Sequence, residues 1–125
     1  MADSNQLDIV SAYQDAWTAG SYEAAAEYLA AGAVFHSPGQ HLAGVEAITT
    51  MLRAFGSRIG RGWELIAWSV DGEQILIIYN LFMPDGSPAL CADYFTVRQG
   101  KIQYELLTFD AKPFAAAQPP PPPQD

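Results

Sequence analysis

Apolar residues recur every three to four positions through the first half of the chain and every second position through the rest. In the first half, Ile9, Val10, Tyr13 and Trp17 share one helical face, which predicts a helix over about Gln6–Thr18, with Asp3 and Ser4 as caps and Gly20 as its stop. Ser21 caps a second predicted helix from Tyr22 to about Ala31, with Tyr22, Ala25, Ala26 and Leu29 as its apolar stripe and Gly32 at its end. Ala33–Ser37 reads as a short strand broken by Pro38-Gly39, and a loop runs on to Gly44. A third helix is expected over about Val45–Ile59, with Ile48, Met51, Leu52 and Phe55 facing inward. After Gly60 and Gly62 the period becomes two, which predicts strands at about Trp63–Val70, Gln74–Met83, Ala89–Arg98 and Lys101–Phe109. Asp71-Gly72, Asp85-Gly86 and Gln99-Gly100 separate them by short turns, so consecutive strands pair antiparallel. Helices grouped before such strands give an α+β fold with helices packed on one face of a curved, mainly antiparallel sheet.

Three of these strands carry a polar residue near their middle: Asn80, Asp93 and Glu105. Strict alternation puts Leu76, Ile78, Asn80 and Phe82 on one face of their strand, Cys91, Asp93, Phe95 and Val97 on one face of the next, and Gln103, Glu105, Leu107 and Phe109 on one face of the last. Each set mixes one central polar group with apolar companions, which is the composition of a pocket wall rather than of a solvated face. A carboxylate in such a place needs a partner or changes its protonation. The opposite faces, with Leu90, Ala92, Tyr94, Ile102, Tyr104 and Leu106, are apolar too. The sheet is therefore expected to be covered on both sides, by helices on one and by a second copy on the other, giving a homodimer through the outer sheet face.

A chain of 125 residues supports one domain, here 1–114, followed by an Ala/Pro-rich tail at 115–125 that is expected to be disordered and solvated. The net charge of −8 argues against nucleic acid and anionic membranes as partners and favours neutral or cationic ligands over anionic ones, the expected partner being a small apolar neutral molecule. No apolar run reaches the ~18 residues of a membrane helix, and the first residues lack the basic and apolar regions of a signal peptide, so a cytoplasmic location is expected. Cys91 is the single cysteine and reads as a small core residue. His36 and His41 stand five apart in a Pro/Gly loop without the spacing of a metal site. With no phosphate-cradling glycine loop and no nucleophile-elbow motif, no cofactor is expected.

The helix and strand order, together with Ala12-Tyr-Gln-Asp-Ala-Trp-Thr-Ala-Gly20, Phe35-His-Ser-Pro38, Gly44-Val-Glu-Ala-Ile48, Asp93-Tyr-Phe-Thr-Val-Arg-Gln-Gly-Lys-Ile102 and Thr108-Phe-Asp110, resembles the cone-shaped fold shared by nuclear transport factor 2, ketosteroid isomerase, limonene epoxide hydrolase and the SnoaL-type polyketide cyclases. The resemblance spans about Gln6 to Phe114. Ketosteroid isomerase carries a tyrosine seven residues before a glycine in its first helix, as Tyr13 stands before Gly20, and an aspartic acid in the strand before its last hairpin, where Asp93 falls. The resemblance implies that these two donate hydrogen bonds to a developing oxyanion, the aspartic acid being kept protonated by its apolar site. Where that family places a proton-shuttling aspartate, after the first short strand, this chain has His36. A histidine departs from the steroid-isomerase pattern but keeps acid–base chemistry near neutral pH.

The sequence thus points to a cofactor-independent isomerase- or cyclase-like enzyme acting on a small apolar carbonyl compound. Tyr13, His36 and Asp93 are its candidate catalytic residues. Trp17, Phe55, Asn80, Phe82, Phe95, Glu105, Leu107 and Phe109 are its candidate pocket residues. The alternative is a non-catalytic binding or dimerisation module on the same fold.

Overall fold

The first amphipathic segment forms α1 (Ala2–Thr18), which starts earlier than the spacing of its apolar residues requires. Gly20 turns the chain with a φ of 87°, a left-handed conformation that side chains with a Cβ resist. Then follow α2 (Tyr22–Ala26), β1 (Leu29–Ser37), β2 (Gln40–Ala43), α3 (Val45–Gly56), β3 (Trp63–Asp71), β4 (Gln74–Phe82), β5 (Pro88–Arg98) and β6 (Lys101–Phe109). This computed structural model describes residues 2–110, 112 and 113; the Ala/Pro-rich tail lies outside the described residues.

The six strands form one sheet in the order β2-β1-β6-β5-β4-β3. The pair β1–β6 is parallel and the other four pairs are antiparallel. All four meander strands lie where the period-two pattern puts them. The α/β boundary in the first half does not. The second helix ends at Ala26 instead of Ala31, and the first strand begins at Leu29 instead of Ala33. Alanine-rich sequence favours helix locally, but β6 has an open edge to fill: Leu29 pairs with Ile102, and the Ile102 amide donates to the Tyr28 carbonyl at 2.7 Å. Gly32 lies in the interval where the β1–β6 register shifts, between Leu29 and Val34. Pro38-Gly39 does not open a loop. It forms a two-residue turn, Gly39 having a φ of 76°, and Gln40–Ala43 returns as β2. The third helix stops at Gly56, and Ile59 beyond it tucks into the core while the Gly60 amide donates to the Phe82 carbonyl at 2.7 Å.

The helices cover one face of the sheet. That inner face buries Ile75, Ile77, Tyr79 and Leu81 from β4, Cys91, Asp93, Phe95 and Val97 from β5, and Ile102, Glu105 and Leu107 from β6. Val10, Tyr13 and Trp17 from α1 and Ile48 and Leu52 from α3 close over it. Gln6 pins the start of α1 to the far end of the sheet, its Nε2 donating to the Gly72 carbonyl at 3.0 Å and to the Val97 carbonyl at 3.2 Å.

Candidate active site

Four polar side chains meet inside this core. Asp93 on β5 pairs with Leu107 on β6, and Phe95 pairs with Glu105. Asp93 and Glu105 are therefore diagonal neighbours on one face, close enough for their carboxyls to touch. On the other side Tyr79 pairs with Cys91 and Ile77 with Asp93, so Tyr79 is the diagonal neighbour of Asp93 from β4. The Tyr79 hydroxyl donates to Asp93 Oδ2 at 2.9 Å, and the Tyr13 hydroxyl, descending from α1, donates to Glu105 Oε1 at 2.9 Å. The result is a continuous chain Tyr79–Asp93–Glu105–Tyr13, each member no more than 4% exposed. Phe95 fixes the Tyr13 ring edge-to-face at 6.1 Å. Trp17 Nε1 donates to Gln14 Oε1 at 2.8 Å, and Gln14 Nε2 ends beside the Tyr79 hydroxyl without completing a hydrogen bond.

Burial sets the protonation of this cluster. It holds the Asp93 carboxyl well above the usual carboxylate range, and the adjacent Glu105 charge adds to the effect. Burial also raises Glu105, but hydrogen bonds from Asp93 and Tyr13 favour its ionised form and leave it at about 7. Both tyrosine hydroxyls are pushed further up by burial and by the carboxylates they face. Asp93 Oδ1 has no donor aimed at it. A proton on that oxygen, directed at Glu105, accounts for both facts, with Asp93 holding its proton more tightly than Glu105. The neighbouring Cys91 thiol is pushed up to about 12 by burial, which makes its attack slow and dependent on exposure.

Of the residues singled out from sequence, Tyr13, Asp93 and Glu105 come together, with Trp17, Phe95 and Leu107 buried around them. Phe55 and Phe109 are half-buried, Phe55 against Trp17 at a ring separation of 5.8 Å. His36 does not join them. Phe35 and Ser37 on either side of it are buried, so His36 projects from the opposite face of β1, exposed and edge-on to His41 at 5.2 Å. Its register partner is Leu106, one residue along from Glu105 and on the other side of the sheet. Asn80 and Phe82 are also placed on the outer face, with Leu76 and Ile78. Asn80 Nδ2 donates there to Glu64 Oε1 at 3.3 Å. Both faces of β4 are apolar, so alternation gave the period without the side; pairing with β5 fixes the side and brings in Tyr79, which the sequence reading left out. Its one legible signal was a hydroxyl in an otherwise aliphatic stripe, Ile75, Ile77, Tyr79, Leu81.

Three clefts mark the surface. One of about 440 Å³ lies on the outer sheet face and includes His36, Leu76, Tyr94, Leu106 and Thr108. One of about 390 Å³ lies between α2 and Arg53. One of about 470 Å³ lies between the end of α1 and the start of β3. None of the three reaches Asp93 or Glu105. Among the described residues, no three His, Cys, Asp or Glu side chains are grouped to hold a metal ion. Nor is any helix long and apolar enough to cross a membrane.

The family described as SnoaL-like domain matches residues 10–105. Among solved structures, a protein from Kribbella flavida DSM 17836 is 28% identical, with 89% of this chain and 91% of that one covered and a TM-score of 0.79. A candidate polyketide cyclase from Sinorhizobium meliloti is 29% identical, with 80% and 93% covered and a TM-score of 0.72. A de novo designed protein with a curved β-sheet is 20% identical, with 94% of both chains covered and a TM-score of 0.81. That last likeness concerns the fold alone, since the fold carries no activity by itself. Among curated protein sequences, none matches the chain.

Proposed function

The chain belongs to the SnoaL-like domain family, and from that premise we propose that it is a cofactor-independent acid–base enzyme of the isomerase or cyclase kind, acting on a small uncharged carbonyl compound. The observation that carries this reading is the buried carboxyl pair, Asp93 and Glu105, whose surroundings separate an acid from a base that titrates near neutral pH. The similarity to a candidate polyketide cyclase supports it.

A carbonyl compound bound at the cluster would replace the contact between the two carboxyls. Asp93 would then donate its hydrogen bond to the carbonyl oxygen, with Tyr79 holding Asp93 from behind through Oδ2. Glu105, held by Tyr13, would take a proton from the carbon beside the carbonyl. The C–H electron pair becomes the enolate double bond, and the carbonyl π pair moves onto the oxygen that Asp93 faces. Return of the proton from Glu105 to a carbon conjugated with the enolate, rather than to the one it left, completes an isomerisation. Attack of the enolate carbon on a second carbonyl of the same molecule, with a proton delivered to the new alkoxide, completes a cyclisation. A donor aimed at the developing oxyanion in a dry site is worth roughly 3 kcal/mol. The base is Glu105 rather than His36, which the sheet separates from the cluster.

The test is exchange of solvent deuterium into C–H bonds beside the carbonyl of a panel of uncharged ring ketones, followed by mass spectrometry. Wild type and His36→Ala are expected to catalyse exchange into the same compounds. Glu105→Gln should lose about a hundredfold or more, and Asp93→Asn at least tenfold, in line with the range for acid–base groups. Exchange undiminished in Glu105→Gln would sink the mechanism.

A second reading has its own support: the four polar groups satisfy one another in a filled interior, while Leu76, Leu90 and Leu106 stand 41–53% exposed on the outer sheet face. On that reading the protein is a dimerisation or ligand-holding module. No exchange by wild type across the panel would favour it.

A further inference from the structure

The buried pair needs a way in, and the cleft of about 470 Å³ between the end of α1 and the start of β3 lies nearest to one. It is lined by Asp15, Thr18, Ala19, Arg61, Gly62 and Trp63. Trp63 has two contacts that differ in kind. On the outside its Nε1 donates to the exposed Asp15 Oδ1 at 2.7 Å. On the inside its ring meets Tyr79 edge-to-face, with centroids 5.7 Å apart and planes at 86°. Tyr79 is the residue that donates to Asp93. One indole therefore stands between the cleft and the carboxyl pair.

The hold on that indole is light. Trp63 is the first residue of β3, which is the edge strand of the sheet, and it is half-buried. Gly62 before it has a φ of 88° and open space around its Cα, and the turn into β3 is tied to the end of α1 by the Gly62 amide on the Thr18 carbonyl at 3.5 Å and by the Arg61 guanidinium on the Ala19 carbonyl, neither of which touches the indole itself. A hydrogen bond to an exposed carboxylate competes with water and is screened by salt. The other two clefts have no comparable link to the cluster: the outer one lies across the sheet, and the one at α2 is bounded by Gly20–Ala24 and Arg53.

We propose that this cleft is the doorway to the carboxyl pair, that Trp63 is the residue that closes it, and that Asp15 latches Trp63 shut. What passes is an uncharged, flat ring compound. The path runs past Trp63 and Tyr79, whose faces favour planar partners; Asp15 and Arg61 at the threshold offset each other, and the overall charge of −8 disfavours anions. The nature of the passing compound rests on the enzyme reading above; the doorway itself does not.

Cys91 gives a probe that needs no substrate. It is the only cysteine, it is buried, and it is the β5 register partner of Tyr79. The reagent is 4,4′-dithiodipyridine, an uncharged flat-ring disulfide. The Cys91 thiolate attacks one sulfur, a mixed disulfide forms, and the released pyridinethione is read by absorbance. Asp15→Ala is expected to label at least fivefold faster than wild type, Asp15→Asn to return most of the way to the wild-type rate, and Trp63→Ala to label fastest. Leu76→Ala, on the outer sheet face, should leave the rate unchanged. These rates should be flat in urea well below the unfolding transition. Labelling of Asp15→Ala within twofold of wild type would overturn the proposal. So would a urea dependence equal to that of global unfolding, which would mean that Cys91 is reached only by unfolding. Asp15 is exposed, so its variants keep the test decisive if Trp63→Ala fails to fold. Faster labelling in a protein that catalyses no deuterium exchange would keep the doorway and remove the enzyme. Catalysed exchange with unchanged labelling would do the reverse.

Discussion

Glu105 and Asp93 carry protons in the folded chain at pH values where the unfolded chain has released them, because burial raises both. Their sign in the pH dependence follows. A carboxyl raised in the folded state stabilises it fully below the unfolded value and loses that contribution as pH rises through the folded value. For Glu105 the window runs from its ordinary 4.5 to about 7, and Asp93 extends the decline to higher pH. Denaturant unfolding is therefore expected to show a protein more stable at pH 5.5 than at pH 8, with a shallower slope in Glu105→Gln. An equal slope in wild type and variant would place the effect in overall charge instead. Tyr79→Phe removes the donor on Asp93 Oδ2 and leaves that oxygen buried without a partner. It should cost about 1–3 kcal/mol of stability and move the Asp93 carboxyl-carbon titration further up. A Tyr79→Phe protein as stable as wild type, with Asp93 titrating unchanged, would show that the bond does not contribute.

At the scale of elements, the meander was legible and its inner side only partly so. Glycine turns and period two place β3 to β6 within a residue of their observed ends. The inner face of β5 followed as well, as did Glu105 and Leu107 on β6, because Asp93 and Glu105 have the aromatic and aliphatic companions that a buried face requires; Ile102, read as outer, turns inward opposite Val97 where the β5–β6 register shifts. On β4 and at His36 the pattern is symmetric: apolar residues on both faces, or one polar residue at a strand end, fit either side equally. Only pairing across the sheet breaks that symmetry. The connection from α3 to β3 offers a sharp test of element packing. A Cβ built on Gly60 would meet the Met83 carbonyl oxygen at 2.6 Å and the Phe82 oxygen at 2.9 Å, both backbone atoms of the strand end that Gly60 caps. Gly60→Ala should destabilise by roughly 2 kcal/mol or more, seen as a lower thermal midpoint with unchanged far-ultraviolet circular dichroism at room temperature. A midpoint within a degree of wild type would show that the contact relaxes freely.

For the whole molecule, the outer sheet face sets the expectation. Its exposed Leu76, Leu90 and Leu106 are more apolar than a solvated antiparallel sheet needs, and we propose that a second copy covers them. Light scattering should then give about twice the 13.6 kDa of one chain, and Leu76→Lys with Leu90→Lys should halve it. A monomer mass at every concentration would leave that face without a partner of its own kind.

The sequence by itself determined the α+β class, the four-strand meander, the cone-like family resemblance, and two members of the buried cluster, Asp93 and Glu105; Tyr13 was named only through that resemblance. Periodicity and turn chemistry are local, and a central polar residue in an apolar strand is visible in a short window. Tertiary structure decided that Tyr79 completes the cluster, that Asn80 and Phe82 face outward, that His36 stands on the far side of the sheet, and that Leu29–Ser37 is one strand rather than a helix end and a short strand. Each of these depends on which strand lies alongside and in which register. That choice is made by burying the better face of every strand at once, and no single segment contains it.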